Sequence, residues 1–419
     1  MKKYFLPRVK PTISVKEIIF FLFNLIIPRS KSSAKSIISH FESEFASRYI
    51  GSQSVCISKA RVAFYHLLKN MNLKNNGEVL ISAIHVGDFI NMIILAGFVP
   101  VIVDLEKDSY NIDCEDLEEK ISDNSALILI THLAGYSSNM DRIKSLSQKY
   151  NVPFIEDCSQ AFESYYDNKR LGTFGHAAIF SLSFIKPICT LSGGMIISKD
   201  GELIDSIKKQ ILIQKSVKKF PLILEALKNL IVITATTDFC FKLIVFPIIK
   251  ILNKETDTIA QYLKTNKKLE IRKEMPQDYL ANYTWEQAKM GLSQLKYYQK
   301  REMIKKENGQ YLYNELKNIP GIILPKLEIH SSNCFWQFPI MVENLDNCIK
   351  EFAKMNLDCS KSLLNILTDE IVFKDNEYNA DNAKNVMNKT LFIPHYYHLT
   401  KGQIEYIIQT VKAVIKQVA

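Results

Sequence analysis

A chain of 419 residues, 47% hydrophobic and 23% charged, is long enough for two or three domains with real cores and is not a disordered polymer. Its net charge of +9 arises from 53 basic and 44 acidic residues with no basic-aromatic stripe, so no nucleic-acid partner is expected, while anionic substrates or an anionic membrane surface fit. Eight cysteines at irregular spacing, none in a C-x-x-C pair, argue against a disulfide framework and a zinc site; no metal is expected, and a reducing cytoplasmic setting is.

In chain order, residues 1–40 read as an N-terminal extension. Lys2 and Lys3 precede an apolar run from Ile18 to Ile27, a pattern that invites a signal-peptide reading. The run starts late, however, behind Lys10, Lys16 and Glu17, and is too short to span a bilayer. It predicts a hydrophobic helix that packs on the body or lies at an interface.

Residues 41–207 predict the large domain. Short apolar runs at Val79–Ser82, Val99–Val103, Ala126–Ile130, Val152–Ile155, Ala177–Ser181 and Met195–Ser198 read as strands, and segments such as Asp141–Tyr150 between them read as helices. Strand and helix in alternation predict an α/β fold, a mostly parallel sheet covered by helices.

Residues 208–254 form a very apolar block studded with lysines, among them Lys208, Lys219, Lys228, Lys242 and Lys250. Asp238 and Lys242 interrupt it before spanning length. It reads either as buried or interface helices or as a peripheral membrane element, with lysines among headgroups and an apolar face in lipid. Residues 255–419 predict a linker and a small C-terminal α/β domain. Its parts are a helical stretch Thr284–Glu315 ended by Pro320-Gly321, a strand Trp336–Val342 and a closing helix Lys401–Val418, with Trp336 assigned to the core.

Three polar features follow predicted strands: Glu156-Asp157-Cys-Ser-Gln160, the stretch from Phe180-Ser181 to Lys186, and Gly193-Gly194. The carboxyl ends of parallel strands are where such sheets bind ligands. A carboxylate, an amine and glycines for close backbone approach together suit a cationic ring cofactor.

These residues carry a family resemblance. Glu156-Asp-Cys-Ser-Gln-Ala161, Gly172-Thr-Phe-Gly175, Phe180-Ser181 through Lys186, and Gly193-Gly194 resemble, in order and spacing, the DegT/DnrJ/StrS family of pyridoxal-phosphate-dependent sugar aminotransferases. Pro100–Asp104, Tyr110–Asp113, His132–Gly135 and Asn139–Asp141 agree with it, and the similarity runs from about Phe41 to Ile197 and again from about Thr284. The resemblance implies a fold type I transferase, a large domain plus a small one, acting as a homodimer on a nucleotide-linked keto-sugar with an amino donor such as glutamate.

It further implies that Lys186 forms the Schiff base with pyridoxal 5'-phosphate and acts as general base and acid. Asp157 would face the pyridine nitrogen, Gln160 the ring oxygen and Ser181 the phosphate. Ala60-Arg61 stand where the family has Gly-Thr or Gly-Arg; a helix starting there would offer N–H groups, and Arg61 a charge, to the phosphate. The family's ring-stacking aromatic falls near Val86, which leaves neighbouring His85 for that place. Asn282 lies two residues out of register with a family asparagine that reaches the partner subunit's phosphate. Lys169, Arg170 and His395 are candidate substrate contacts. Two other readings stand beside this one: a pyridoxal-phosphate enzyme for a lipid-linked or non-sugar substrate, and a non-catalytic membrane-associated relative.

Overall fold

The computed structural model describes residues 3–216, 219–252, 269–370, 373 and 378–418. Lys218 and Lys254 of the apolar block, and residues 255–268 of the expected linker, lie outside the described residues. Seven strands form the central sheet: β1 (Gln53–Ile57), β2 (Glu78–Ser82), β3 (Val99–Val103), β4 (Ser125–Thr131), β5 (Phe154–Asp157), β6 (Ala177–Ser181) and β7 (Gly194–Ser198). Their spatial order is β1-β7-β6-β5-β4-β2-β3. From β3 to β6 all pairings are parallel, whereas β7 runs antiparallel to both β6 and β1.

Alternate side chains of these strands feed two separate cores, as the period of two requires. Val79, Ile81, Leu127, Leu129, Ile155 and Ile179 enter one. Leu80, Ile128, Ile130, Phe154, Ala178 and Phe180 enter the other. A sheet buried on both faces needs apolar residues on both, which is why the strands read as near-continuous apolar runs. Helix α1 (Val15–Ile26) starts at a capping box of Ser14 and Glu17, α2 is Lys31–Ala46, and α3 (Ala60–Asn70) follows β1.

The stretch expected as one long helix is two, Trp285–Leu295 and Tyr298–Leu316, parted at Lys296-Tyr297. A three-stranded antiparallel sheet, Phe338–Met341 with Thr390–Ile393 and Ser360–Lys361, carries the C-terminal part, and the closing helix is Lys401–Val418. In the apolar block, helix Lys219–Ala235 meets the helical run Asp238–Ile251 at a bend of 67°; among the described residues no single helix is long and apolar enough to cross a membrane. Ile18, Phe21 and Leu25 of α1 pack against Leu222 and Ala226, so the two apolar segments of the sequence lie on each other.

Candidate active site

A cavity of about 340 Å³ opens beside the carboxyl ends of β4, β5 and β6. It gathers Lys186, Asp157, Gln160, Ser181, Ala60, Arg61 and His85, seven residues chosen from the sequence and scattered over 127 positions. Lys186 is 8% exposed and sits on the turn that leaves β6. Its neighbour Ile185 has φ +61°, a conformation that a β-branched side chain resists. Both carbonyls of that turn are clamped: Trp336 Nε1 donates to Ile185 O at 3.2 Å and Thr12 Oγ1 donates to Lys186 O at 2.6 Å. Lys186 Nζ stands 3.7 Å over the Trp336 ring. Burial, against the pull of Asp157, brings the pKa of its amine down to about 7.

Asp157 ends β5 and is 4% exposed. Burial opposes its charge, but hydrogen bonds from His85 and Ser159 outweigh that and hold its pKa below the usual carboxylate value. His85 Nε2 lies 3.5 Å from Asp157 Oδ2 and 3.0 Å from Thr131 Oγ1. Its ring packs on Phe89 at 4.2 Å between centroids. Gln160 Oε1 accepts from Ala134 N at 2.6 Å, which fixes the side chain at the pocket wall. Ser181 and Ser183 share a hydroxyl contact of 2.8 Å.

Helix α3 begins at Lys59 without a side-chain cap, which leaves first-turn N–H groups for another acceptor. Gly194 makes that start possible, because a Cβ there would meet the backbone nitrogen of Ala60 at 2.7 Å. An uncapped helix start, a buried charged carboxylate and a readily neutral lysine fit, in turn, the phosphate, the ring nitrogen and the aldehyde of pyridoxal 5'-phosphate.

The Arg61 side chain has a partner within the chain. Its guanidinium lies 2.8 Å from Asp88, a 1% exposed carboxylate that also takes the Tyr279 hydroxyl at 2.6 Å and Arg272 at 3.1 Å. A buried carboxylate needs such partners, and Arg61 lines the pocket while paired to it. Its place at the uncapped start of α3 is what it brings to the pocket.

The candidate substrate contacts lie off this cavity. Lys169 is exposed on the Tyr165–Tyr166/Lys169–Arg170 hairpin, and Arg170 is paired with Glu163 at 3.1 Å. His395 is buried behind Trp336, its Nε2 3.0 Å from Lys305 O, and burial with the Lys305 charge pushes its pKa down to about 3. Asn282 donates to Gln214 O at 2.9 Å within its own chain. His132, Glu156 and Cys158 converge closely enough to suggest a metal. Glu156, however, already accepts from the backbone N–H groups of Gly172, Phe174 and Gly175, and so shapes that loop.

Three contributors were not read from the sequence. Trp336, expected in the small-domain core, is pocket wall. Phe89 lines the pocket three residues past the position where an aromatic was sought. Thr12 reaches the lysine turn from the N-terminal extension. Gly135 lets Trp336 approach: a Cβ on it would meet Trp336 N at 2.7 Å.

The sheet order is that of the fold type I transferases, which take pyridoxal phosphate. The chain belongs to the DegT/DnrJ/EryC1/StrS aminotransferase family, whose model matches residues 29–220 and 269–412. A protein of Methanocaldococcus jannaschii is 25% identical over 433 residues, covering 100% of this chain and 99% of that one. The GDP-perosamine synthase of Escherichia coli O157:H7 is 32% identical over 174 residues, 42% of this chain and 48% of the synthase, so this match spans about half of that enzyme. An aminotransferase from Psychrobacter cryohalolentis superposes with a TM-score of 0.75 at 20% identity, covering 99% of both chains, which shows a shared fold.

Proposed function

We propose that the chain transfers an amino group, from glutamate, to a keto-sugar carried on a nucleotide, for a surface polysaccharide or related glycoconjugate. The observation that carries this reading is the buried Lys186 amine in one pocket with the buried Asp157 carboxylate and an uncapped helix start. The family, and the similarity to a GDP-perosamine synthase, support the sugar-nucleotide class.

Pyridoxal phosphate, when bound, supplies an electron sink for the carbon that gives or takes the amino group. The chain's residues do the rest. Asp157 would hold a proton on the ring nitrogen. Lys186 Nζ, whose pKa is brought down to about 7, would accept and return a proton at the reacting carbons. The backbone at Ala60 and the Ser181 hydroxyl would hold the phosphate, with Trp336 and Leu364 lining the pocket against water. The same reading has the chain act as a homodimer in the cytoplasm, peripheral to the inner face of the membrane.

The test is borohydride reduction of the protein mixed with pyridoxal phosphate, followed by peptide mass spectrometry. A stable label on Lys186, absent in Lys186→Ala, and a visible absorption band bleached by glutamate are expected. A protein that takes up no label at saturating cofactor would overturn the reading.

A further inference from the structure

The helical layer made by α1 and the apolar block has two apolar sides, and only one of them is covered. On α1, Ile18, Phe21 and Leu25 face inward, while Ile19, Phe20, Phe23 and Ile26 face out, the last 76% exposed. On helix Lys219–Ala235, Leu222 and Ala226 are buried, and Phe220, Leu224, Leu227 and Ile231 make an outward stripe at spacings of four, three and four. Past the bend, Phe241, Phe246 and Ile249 turn inward and Phe239, Leu243, Ile244, Ile248 and Ile251 outward, Phe239 being 71% exposed. A monomeric surface seldom shows this many large apolar side chains together.

Charge identifies what covers them. Residues 1–40 hold eight basic residues against Glu17 alone, and residues 208–254 hold nine lysines against Glu225 and Asp238. The remainder of the chain has 36 basic and 41 acidic residues, so these two segments together carry +14 and everything else carries −5. Two copies meeting through such faces would set like charge against like charge. An anionic lipid surface sets it against opposite charge. We propose that α1 and the bent helix pair dock this protein on an anionic bilayer, with the outward stripes entering the headgroup and acyl boundary.

The pair lies along the surface and does not cross it. Helix Lys219–Ala235 has 17 residues, about 25 Å of rise against a hydrocarbon core of about 30 Å. Glu225, Lys228 and Asn229 fall at its middle, where a spanning helix would meet the driest lipid. Its inner face is taken by α1 and by Cys189 and Leu191, which follow Lys186 on the catalytic loop. The seat on the membrane thus backs directly onto that loop. This proposal gives a structural basis to the peripheral location named above, but it stands on packing and charge alone and survives if the amino-transfer reading fails.

Flotation of the full-length, cofactor-loaded protein with lipid vesicles tests it. Vesicles of equal parts phosphatidylcholine and phosphatidylglycerol should carry the protein up at low salt and release it at high salt, and phosphatidylcholine alone should not. Lys228→Gln and Lys250→Gln should each weaken partitioning about fivefold, the equivalent of about 1 kcal/mol per lysine. Phe220→Glu with Leu227→Glu, both at exposed positions, should abolish it while leaving the visible cofactor band intact. Equal flotation with both lipids, or unchanged flotation of the double glutamate variant, overturns the proposal. If that variant instead breaks an oligomer in light scattering and floats as before, the face belongs to a second copy of the chain.

Discussion

Burial acts on Lys186 in two ways at once. It lets the amine lose its proton from about pH 7 upward, and below that it costs the fold the burial of a charged group. The folded pKa of about 7 lies below the ordinary 10.5. The unfolded state therefore binds more protons between those two values, so the penalty is full at and below pH 7, shrinks as pH rises, and is gone above 10.5. The shift corresponds to a destabilisation on the order of 3–5 kcal/mol at neutral pH. Lys186→Met should accordingly raise the denaturation midpoint of the cofactor-free protein at pH 7, and the gain should fade toward pH 10; equal midpoints at pH 7 would refute the shift. Cofactor capture should fall below about pH 7 as the amine protonates. The lysine itself was legible in the sequence through its place five residues after Ser181. Trp336 was not, because it comes from the other side of the molecule and its sequence context is that of a core strand. Trp336→Ala should admit water to the amine and move the pH midpoint of cofactor capture upward, and Trp336→Phe should move it less.

Among the elements, the parallel strands were readable because both faces are buried, and the closing helix because its apolar period is unbroken. Strand β1 was not, since Gln53-Ser-Val-Cys-Ile57 has only three apolar residues and takes its partner, β7, from 140 residues downstream. The antiparallel sense of β7 was equally hidden, for Gly194–Ser198 has the composition of any buried strand. The glycine pair that opens β7 shows how an element makes a site. Gly193 has φ +136°, and Gly194 brings β7 against the first residue of α3. Gly194→Ala should push backbone against backbone at Ala60, neither of which can turn aside, at about 1–3 kcal/mol of stability. Because Ala60 lines the pocket at the proposed phosphate position, cofactor dissociation measured by absorbance should rise by more than the loss of stability alone would produce. A variant with unaltered cofactor affinity would separate α3 from phosphate binding.

Over the whole molecule, the N-terminal extension ties three parts together, which a reading by domains had set apart. Leu6 bridges to Leu357, and Arg8 reaches Asp358 at 2.6 Å, both in the C-terminal part. Lys10 pairs with Asp238, and Phe5 meets Phe246 edge-on at 5.5 Å, both in the apolar block. Thr12 then donates to the Lys186 carbonyl, and Arg301 Nη1 donates to the Thr12 carbonyl at 2.5 Å. The bond from Thr12 falls on the carbonyl of Lys186 itself, one residue past the strained Ile185, where a small release would rotate the Lys186 side chain. Thr12→Val keeps the shape and removes the donor. The expected loss is about 1 kcal/mol, or roughly fivefold, in kcat. KM for the sugar substrate should hold, because Thr12 is no part of the pocket lining, and Thr12→Ser should restore the rate. The pH midpoint of cofactor capture should shift with kcat, since turn and amine move together. A fall in thermal stability without any change in that midpoint would make Thr12 an ordinary packing residue and leave Trp336 alone to hold the lysine turn.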